Sequence, residues 1–474
     1  MSIFKSSLFK RGSLLTVSQI LALGVSAILV LILPKFITLD DYGYWQLFIL
    51  YSGYVGLFHF GYSDGLYITL GGKDLQILNK KEIKAQFSLF LAFQLIFSLA
   101  ILLFAFNYFN DTNKLYVFAA VGVYLFIENY HKLLSFMLLS TSNSDSYAKS
   151  VIIDKVLTVI LLFIVLLADE LRFVAVLYIF IFCRLISLIY LLLLYRDLSP
   201  IIVRGTALKK AFQGVFANVK LGIILTISTI LGTLIIASGR LVVEHSWSIS
   251  SFAQISLAVS LSFFIMSFIS QISLILFPIL CNAELSLQKK ILRDGSTLMG
   301  YIAMLGFSFY FVTFLFIKFW LVAYTESLNY LIYLFPIVLF EIKTQILYTT
   351  YCKSINKLKL LLNINVLVII FALIMYYIAA KIHSIELVLI TMFIALMLRS
   401  ILLRLFLNKF YELKIDRYFY IEIVFSLGFI AVHRLFGIEA LLVYFVLSIS
   451  AVTLLSAKDL KSIYLNFKNR HHEA

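Results

Sequence analysis

The sequence is poor in charged residues, and it contains few prolines and glycines. Only 13% of its 474 residues are charged, whereas soluble domains carry about 25%. Four prolines and 20 glycines exclude a low-complexity or collagen-like chain. The chain is instead apolar, with a hydrophobic fraction of 62% and a mean hydropathy of +1.02. This composition excludes an ordinary soluble protein and predicts an all-α polytopic membrane protein.

Motifs that would indicate an enzyme or a metalloprotein are missing. The three cysteines, Cys183, Cys281 and Cys352, form no Cys-x-x-Cys pair, so neither a zinc site nor a disulfide framework is expected. No GxxxxGK[ST] motif is present, which argues against a nucleotide-driven pump. The longest predicted loop, residues 196–216, leaves no room for a soluble catalytic domain. We therefore expect no cofactor, no metal and no catalytic residue, and a protein that is not an enzyme.

Long apolar runs recur along the whole chain. A helix needs about 20 apolar residues to cross the hydrocarbon core of a membrane, and fourteen runs reach that length. The first run is too long for a cleaved signal peptide and is expected to remain as a span. The predicted spans are 13–34, 44–71, 85–107, 114–140, 147–168, 172–195, 217–239, 248–280, 298–324, 328–352, 360–380, 385–407, 417–434 and 438–456.

Lysine and arginine are distributed unevenly between the predicted loops. Most of them lie in the two termini and in the loops on the same side as the termini, while the opposite loops carry few. Loops rich in lysine and arginine stay in the cytoplasm. Both termini are therefore predicted to be cytoplasmic. The net charge of +15 follows from this topology, so nucleic acid is not an expected partner.

An internal repeat links the two halves of the chain. The stretch LFIENYHKLLSFMLLSTSN, in the fourth predicted span, aligns with LFEIKTQILYTTYCKSIN, in the tenth. With Glu128 on Glu341, Asn143 coincides with Asn356. An offset of six spans gives both copies the same orientation, which makes this a parallel repeat. The predicted domains are one six-span bundle, a second six-span bundle, and two extra spans with a tail, at 1–196, 197–410 and 411–474.

Ionisable residues lie near the middle of several predicted spans. An ionised group at the centre of a membrane helix costs about 2.5–3.5 kcal/mol on insertion scales, so such groups usually face protein or a wet cavity. The basic members of this set are Arg184, Arg399, Arg404, Lys132 and Lys343. The other members are Glu128, Glu341, Asp64 and His59. Basic residues predominate, which predicts a buried polar surface suited to an anion.

Two interpretations of these charges stay open. Glu128 and Lys132 are four residues apart with the acid first, which is the favourable order for an ion pair within one helix. Arg184 and Arg399 have no acid within one helical turn. Each arginine could instead pair across helices with Glu128 or Glu341, and the charges would then only hold helices together. The alternative is that both arginines bind phosphate groups of a ligand.

Two stretches carry a family resemblance. LPKFITLDDYGYWQLFILYSGYVGLFHFGYSDGL resembles the first outer loop and second span of bacterial polysaccharide-transporter flippases. It has a short loop that ends in acid-Tyr-Gly and an apolar helix that ends near Gly61 and Asp64. LYTTYCKSINKLKLLLNINVLVIIFALI resembles the same family's connection between spans 10 and 11. These flippases belong to the multidrug/oligosaccharidyl-lipid/polysaccharide exporter (MOP) superfamily.

The resemblance implies a carrier of lipid-linked sugar. Its cargo would be an undecaprenyl-pyrophosphate-linked oligosaccharide that moves to the outer leaflet of the bacterial inner membrane, for O-antigen, capsule or exopolysaccharide synthesis. The five basic midspan residues would then bind the cargo. Glu128, Glu341, Asp64 and His59 would couple ions or act as charge partners. Membrane lipids and other membrane proteins of polysaccharide assembly are further expected partners.

Two other functions stay open at this point. An exporter of cationic drugs from the same superfamily needs an acidic cavity, whereas the midspan charges singled out here are mainly basic. A membrane polysaccharide polymerase or ligase usually carries its catalytic groups on a large outer loop, and no predicted outer loop is large.

Overall fold

The computed structural model describes residues 2–73, 79–141, 143–168, 171–200, 205–269, 272–415 and 417–473. Within these ranges every regular element is a helix or a helical turn. The chain divides into two compact units, Met1–Thr233 and Leu234–Ala474. The boundary between the units falls inside one long helix, α9 (Thr206–Ser246).

Among the residues of the first unit that the structure describes, eight helices precede α9. A π-helical turn joins the first two of them, and 3₁₀ turns follow the third and the eighth. The helices are α1 (Ser2–Ala27), α2 (Leu33–Phe36), α3 (Leu39–Ser52), α4 (Tyr62–Leu70), α5 (Lys80–Tyr108), α6 (Thr112–Ser140), α7 (Ser144–Leu167) and α8 (Phe173–Leu194).

In the described residues of the second unit, nine helices follow α9. A π-helical turn, Thr344–Tyr348, joins two of them into one continuous span. The helices are α10 (Ile249–Ile269), α11 (Ile272–Asn282), α12 (Leu285–Gly306), α13 (Phe309–Phe319), α14 (Ser327–Lys343), α15 (Thr349–Ser354), α16 (Leu358–Lys381), α17 (Ile385–Phe410) and α18 (Arg417–Glu473).

Each of the fourteen predicted spans coincides with one helix, part of one, or a pair of consecutive helices. Among the described residues, 10 helices are long and apolar enough to cross a membrane. One of these, Tyr418–Ser450, covers most of two predicted spans, which Gly437 separates with a left-handed φ of 79°. The other three predicted spans are not among these 10 helices. Span 44–71 is broken, span 114–140 (α6) has a polar centre, and in span 248–280 the apolar part of α10 is the shorter Ile249–Phe264.

The prediction of 44–71 as one uninterrupted helix is wrong. α3 and α4 are separated by a 3₁₀ turn, Val55–His59, and by two left-handed residues, Phe60 (φ 47°) and Gly61 (φ 80°). A Cβ on Gly61 would lie 2.4 Å from the backbone nitrogen of Ile223 in α9. The break therefore lets α4 approach α9 backbone to backbone, and a side chain at Gly61 would prevent this contact.

One central helix in each unit carries the repeated glutamate. α6 packs against α3, α4, α5 and α8, and α14 packs against α10, α12, α17 and α18. In the span Ser327–Ser354, 89% of the apolar stretch is buried inside the protein. A helix that is surrounded by other helices can carry ionised side chains without exposing them to lipid. The two halves of the predicted repeat thus occupy equivalent central places in their units.

The predicted orientation can be tested by cysteine labelling. In a cysteine-free background, Lys80→Cys, Lys209→Cys and Lys357→Cys should react with a membrane-impermeant maleimide only after cells are permeabilised. Asp111→Cys and Glu244→Cys should react in intact cells. Every span reverses the side of the loop that follows it, so a single position labelled from the wrong side would contradict the fourteen-span topology.

Candidate functional site

Arg184 lies in the middle of α8 and faces two carboxylates from neighbouring helices. Its Nε and Nη2 atoms donate to Glu128 Oε2 and Oε1 at 2.5 and 3.0 Å. Its Nη1 atom donates to Asp154 Oδ2 at 3.2 Å. The guanidinium therefore joins α6, α7 and α8, with a bidentate contact to one acid and a single contact to the other. Such charge-assisted pairs are the strong class of protein hydrogen bonds.

Both acids have further partners. The Tyr124 hydroxyl donates to Glu128 Oε2 at 3.0 Å, and Lys155 Nζ lies 3.0 Å from Asp154 Oδ2. The side chains of Arg184 and Glu128 keep 18% and 19% of their surface accessible. The pair is therefore only partly buried. We call these five residues, Tyr124, Glu128, Asp154, Lys155 and Arg184, the first cluster.

The second unit holds the equivalent pair. Arg399 Nη2 on α17 donates to Glu341 Oε1 on α14 at 2.7 Å. Gln345 Nε2 donates to the same oxygen at 2.7 Å. Only 2% and 4% of the Arg399 and Glu341 side chains are accessible. Since Glu341 aligns with Glu128 in the repeat, each bundle pairs a glutamate of its fourth span with an arginine of its sixth.

A third acid contacts Lys343 and Arg404, the other two midspan bases that the sequence singled out in the second unit. Glu422 on α18 forms an ion pair with Lys343, and its Oε2 atom lies 3.9 Å from Arg404 Nη1. All three side chains are at most 4% accessible. The Arg404 guanidinium also stands over the ring of Phe419 at 5.1 Å. The C-terminal helix α18 is therefore fixed to α14 and α17 by buried charge. We call Lys343, Arg404 and Glu422 the second cluster.

His59, Asp64 and Lys132 come together in the first unit. Lys132 Nζ lies 3.1 Å from His59 Nε2, and the same ring nitrogen lies 3.8 Å from Asp64 Oδ2. The Gly61 amide donates to His59 Nδ1 at 3.0 Å. Thr226 Oγ1 on α9 donates to Asp64 Oδ2 at 2.7 Å. The imidazole of His59 thus lies between the Lys132 amine and the Asp64 carboxylate.

The alternative of an ion pair between Glu128 and Lys132 within α6 is not what the structure contains. Glu128 binds Arg184, and Lys132 contacts His59. A spacing of four residues places the side chains of Glu128 and Lys132 on the same face of α6. Glu128 nevertheless binds Arg184 of another helix, with which it makes a bidentate contact. The structure contains the cross-helix pairs instead: Arg184 contacts Glu128, and Arg399 contacts Glu341.

Three charged residues of these clusters were not singled out in the sequence, namely Asp154, Lys155 and Glu422. Each lies inside a predicted apolar span, and the rarity of lipid-facing charges was the signal that could have found them. With these residues included, the midspan acids nearly balance the midspan bases. The predominance of positive charge inferred from the sequence is therefore smaller in the structure.

Comparison with solved structures identifies the fold of the chain. No family model and no curated protein matches the sequence. A lipid II flippase, MurJ, in an inward closed conformation matches with a TM-score of 0.64 and 14% identity, over 95% of this chain and 99% of the flippase. An inward-facing multidrug resistance MATE family transporter of the MOP superfamily matches with a TM-score of 0.57 and 11% identity, over 83% of this chain and 98% of the transporter. The chain has the fold of MOP superfamily transporters.

Proposed function

We propose that this protein is a flippase that moves an undecaprenyl-pyrophosphate-linked oligosaccharide from the inner to the outer leaflet of the bacterial cytoplasmic membrane. The cargo would serve O-antigen, capsule or exopolysaccharide synthesis. The chemistry of such a cargo combines an anionic pyrophosphate, a hydroxyl-rich glycan and a long apolar tail. The cationic groups buried at midspan depth suit the pyrophosphate. The apolar helices suit the long tail.

The C-terminal helix α18 is the observation that carries this proposal. The match to the flippase leaves out 5% of the 474 residues, about 24, which is fewer than the 57 residues of α18. That match therefore includes part of α18. Because Glu422 ties α18 to two buried bases, this helix is part of the buried core of the second unit.

The two arginine pairs are suited to different roles in this proposal. Arg184 is accessible and has a second carboxylate, Asp154, beside it. A pyrophosphate can displace Glu128 from the guanidinium, since a carboxylate and a phosphate each present two anionic oxygens that accept two N–H bonds. Arg399 is sealed against Glu341. In the arrangement described here it holds α14 to α17, and it would meet cargo only after that pair opens.

Flipping can be measured directly in vesicles. Purified protein is reconstituted with undecaprenyl-pyrophosphate-linked oligosaccharide, and the fraction of glycan that a membrane-impermeant lectin reaches is followed with time. We expect the inner pool to become reachable in vesicles that contain the protein and to stay protected in protein-free vesicles. A parallel assay follows a cationic dye. Dye movement without glycan movement would contradict the proposal and support a multidrug exporter.

A cation exporter is the second candidate, and Asp64 favours it. This carboxylate keeps 19% of its side chain accessible and has no arginine or lysine within ion-pair distance in the described residues. An accessible acid of this kind suits a cationic cargo or a coupling proton. The near balance of midspan charges also removes the objection that the sequence alone raised against this function.

The membrane potential is predicted to drive the proposed export. A cargo with about two negative charges leaves a negative interior, and the gain is roughly 2.3 kcal/mol per charge per 100 mV, or about 4–5 kcal/mol in total. We therefore expect glycan flipping without ATP and a higher rate when an inside-negative potential is imposed with valinomycin and a potassium gradient. An unchanged rate in vesicles without any potential or proton gradient would indicate simple facilitated exchange.

A further inference from the structure

A cavity at one end of the second unit lies apart from all the clusters described above. Its volume is about 550 Å³, within the range of about 300–1,000 Å³ that is typical of small-molecule sites. It is lined where α14 begins, where α17 begins and where the first half of α18 ends. The predicted topology puts all three places on the outer side. Its polar lining residues are Asn329, Tyr330, Tyr333, Glu386, His433 and Arg434.

The charges of this cavity cancel. Arg434 forms an ion pair with Glu386, and the Tyr333 hydroxyl donates to the same carboxylate. The guanidinium also stands over the Tyr333 ring, 5.7 Å from its centre. About half of each charged side chain stays accessible, 51% for Arg434 and 44% for Glu386. The cavity therefore presents fixed donors and acceptors to solvent without a net charge of its own.

Two further polar groups have hydrogen-bonding capacity in reserve. In the part of the chain that the structure describes, the side chains of Asn329 and Tyr330 make no hydrogen bond. An asparagine amide supplies two donors and one acceptor, and a phenol supplies one donor and an acceptor. The rings of Tyr330 and Tyr333 add apolar faces beside these groups. Polar groups set among aromatic rings are typical of sites that orient a small ligand.

We propose that this cavity binds a neutral, hydroxyl-rich sugar unit. Each sugar hydroxyl both donates and accepts, which matches a carboxylate, a guanidinium, an amide and a phenol arranged around one space. The C–H face of a sugar ring is apolar and fits a tyrosine face. A phosphate or an acidic sugar gains no net attraction, because Glu386 offsets Arg434. The inference rests on the proposed function, under which a glycan head group arrives on this side of the membrane.

The site can be tested with free sugar and without transport. A reporter thiol, Ile385→Cys, is placed in the cavity lining in a Cys281→Ser background, and a membrane-impermeant maleimide is added from outside. Maltotriose, a neutral trisaccharide, should slow the labelling, and trigalacturonate at equal concentration should not. Adding Asn329→Ala or Tyr330→Phe should raise the concentration needed for protection about fivefold, since each removes hydrogen bonds to the sugar.

A matched control is Tyr116→Phe, which removes a phenol from the first unit and should leave protection unchanged. Absence of maltotriose protection in vesicles that flip lipid-linked oligosaccharide would overturn the sugar site and leave the proposed function standing. Protection in vesicles that do not flip would overturn the proposed function and retain the site. Equal protection by trigalacturonate and maltotriose would overturn the assignment to a neutral sugar.

Discussion

Replacing Arg399 with alanine should lower the free energy of unfolding by about 3–5 kcal/mol, which is the usual cost of removing one partner from a buried ion pair. Glu341 would be left with a side chain that is 4% accessible and with Gln345 as a neutral donor. Neither water nor the amide replaces the lost positive charge. The effect is measurable by denaturant unfolding of the purified protein in mixed micelles, and by the amount of protein in the membrane.

Two further variants show whether the stranded acid causes the loss. Arg293→Ala removes a side chain that is 63% accessible, so its effect should stay within about 0.5 kcal/mol. The double variant Arg399→Met with Glu341→Leu removes both charges and should regain most of the stability, because well-packed apolar residues often replace a buried pair without loss. If Arg399→Ala were as stable as Arg293→Ala, the pair would not be buried as described.

Flipping of the lipid-linked oligosaccharide should fall at least about tenfold in Arg184→Ala vesicles, since loss of one partner in a buried charge contact costs about 2–5 kcal/mol. Cells should then accumulate the cargo on the inner leaflet and lose surface polysaccharide. Arg184→Lys should keep part of the activity, because an ammonium supplies the charge but not the bidentate fork. The measurement is the initial rate of lectin accessibility per amount of reconstituted protein.

The double variant Arg184→Ala with Glu128→Gln separates cargo binding from helix fixation. Asp154 keeps Lys155 as its partner when Arg184 is lost, so Glu128 is the acid that needs neutralising. Protein abundance should recover in the double variant whatever Arg184 does. Flipping should stay low if Arg184 binds pyrophosphate. Recovery of flipping together with abundance would show that the arginine only holds α6, α7 and α8 together.

Hydropathy alone located the spans, because a membrane imposes one length requirement on every helix that crosses it. The repeat was equally visible in the sequence: Glu128 and Glu341 align, and the structure puts both on the central helix of their unit. The local sequence pattern did not predict that the second span is interrupted. The left-handed break at Gly61 allows a close backbone contact with Ile223, and no property of the neighbouring residues reveals a contact with a helix far along the chain.

The sequence by itself determined the helical class, the span positions and the depth of the buried charges, since these depend on one residue's place along one helix. Only the tertiary structure decided which charges meet. Arg184 binds Glu128 and Asp154, and Glu422 engages Lys343 and Arg404. Pairing across helices depends on the rotation of each helix about its axis and on its neighbours, which packing fixes. A charged residue in a predicted span indicates that the charge needs a partner. Which of several residues at the same depth becomes that partner depends on how the helices pack.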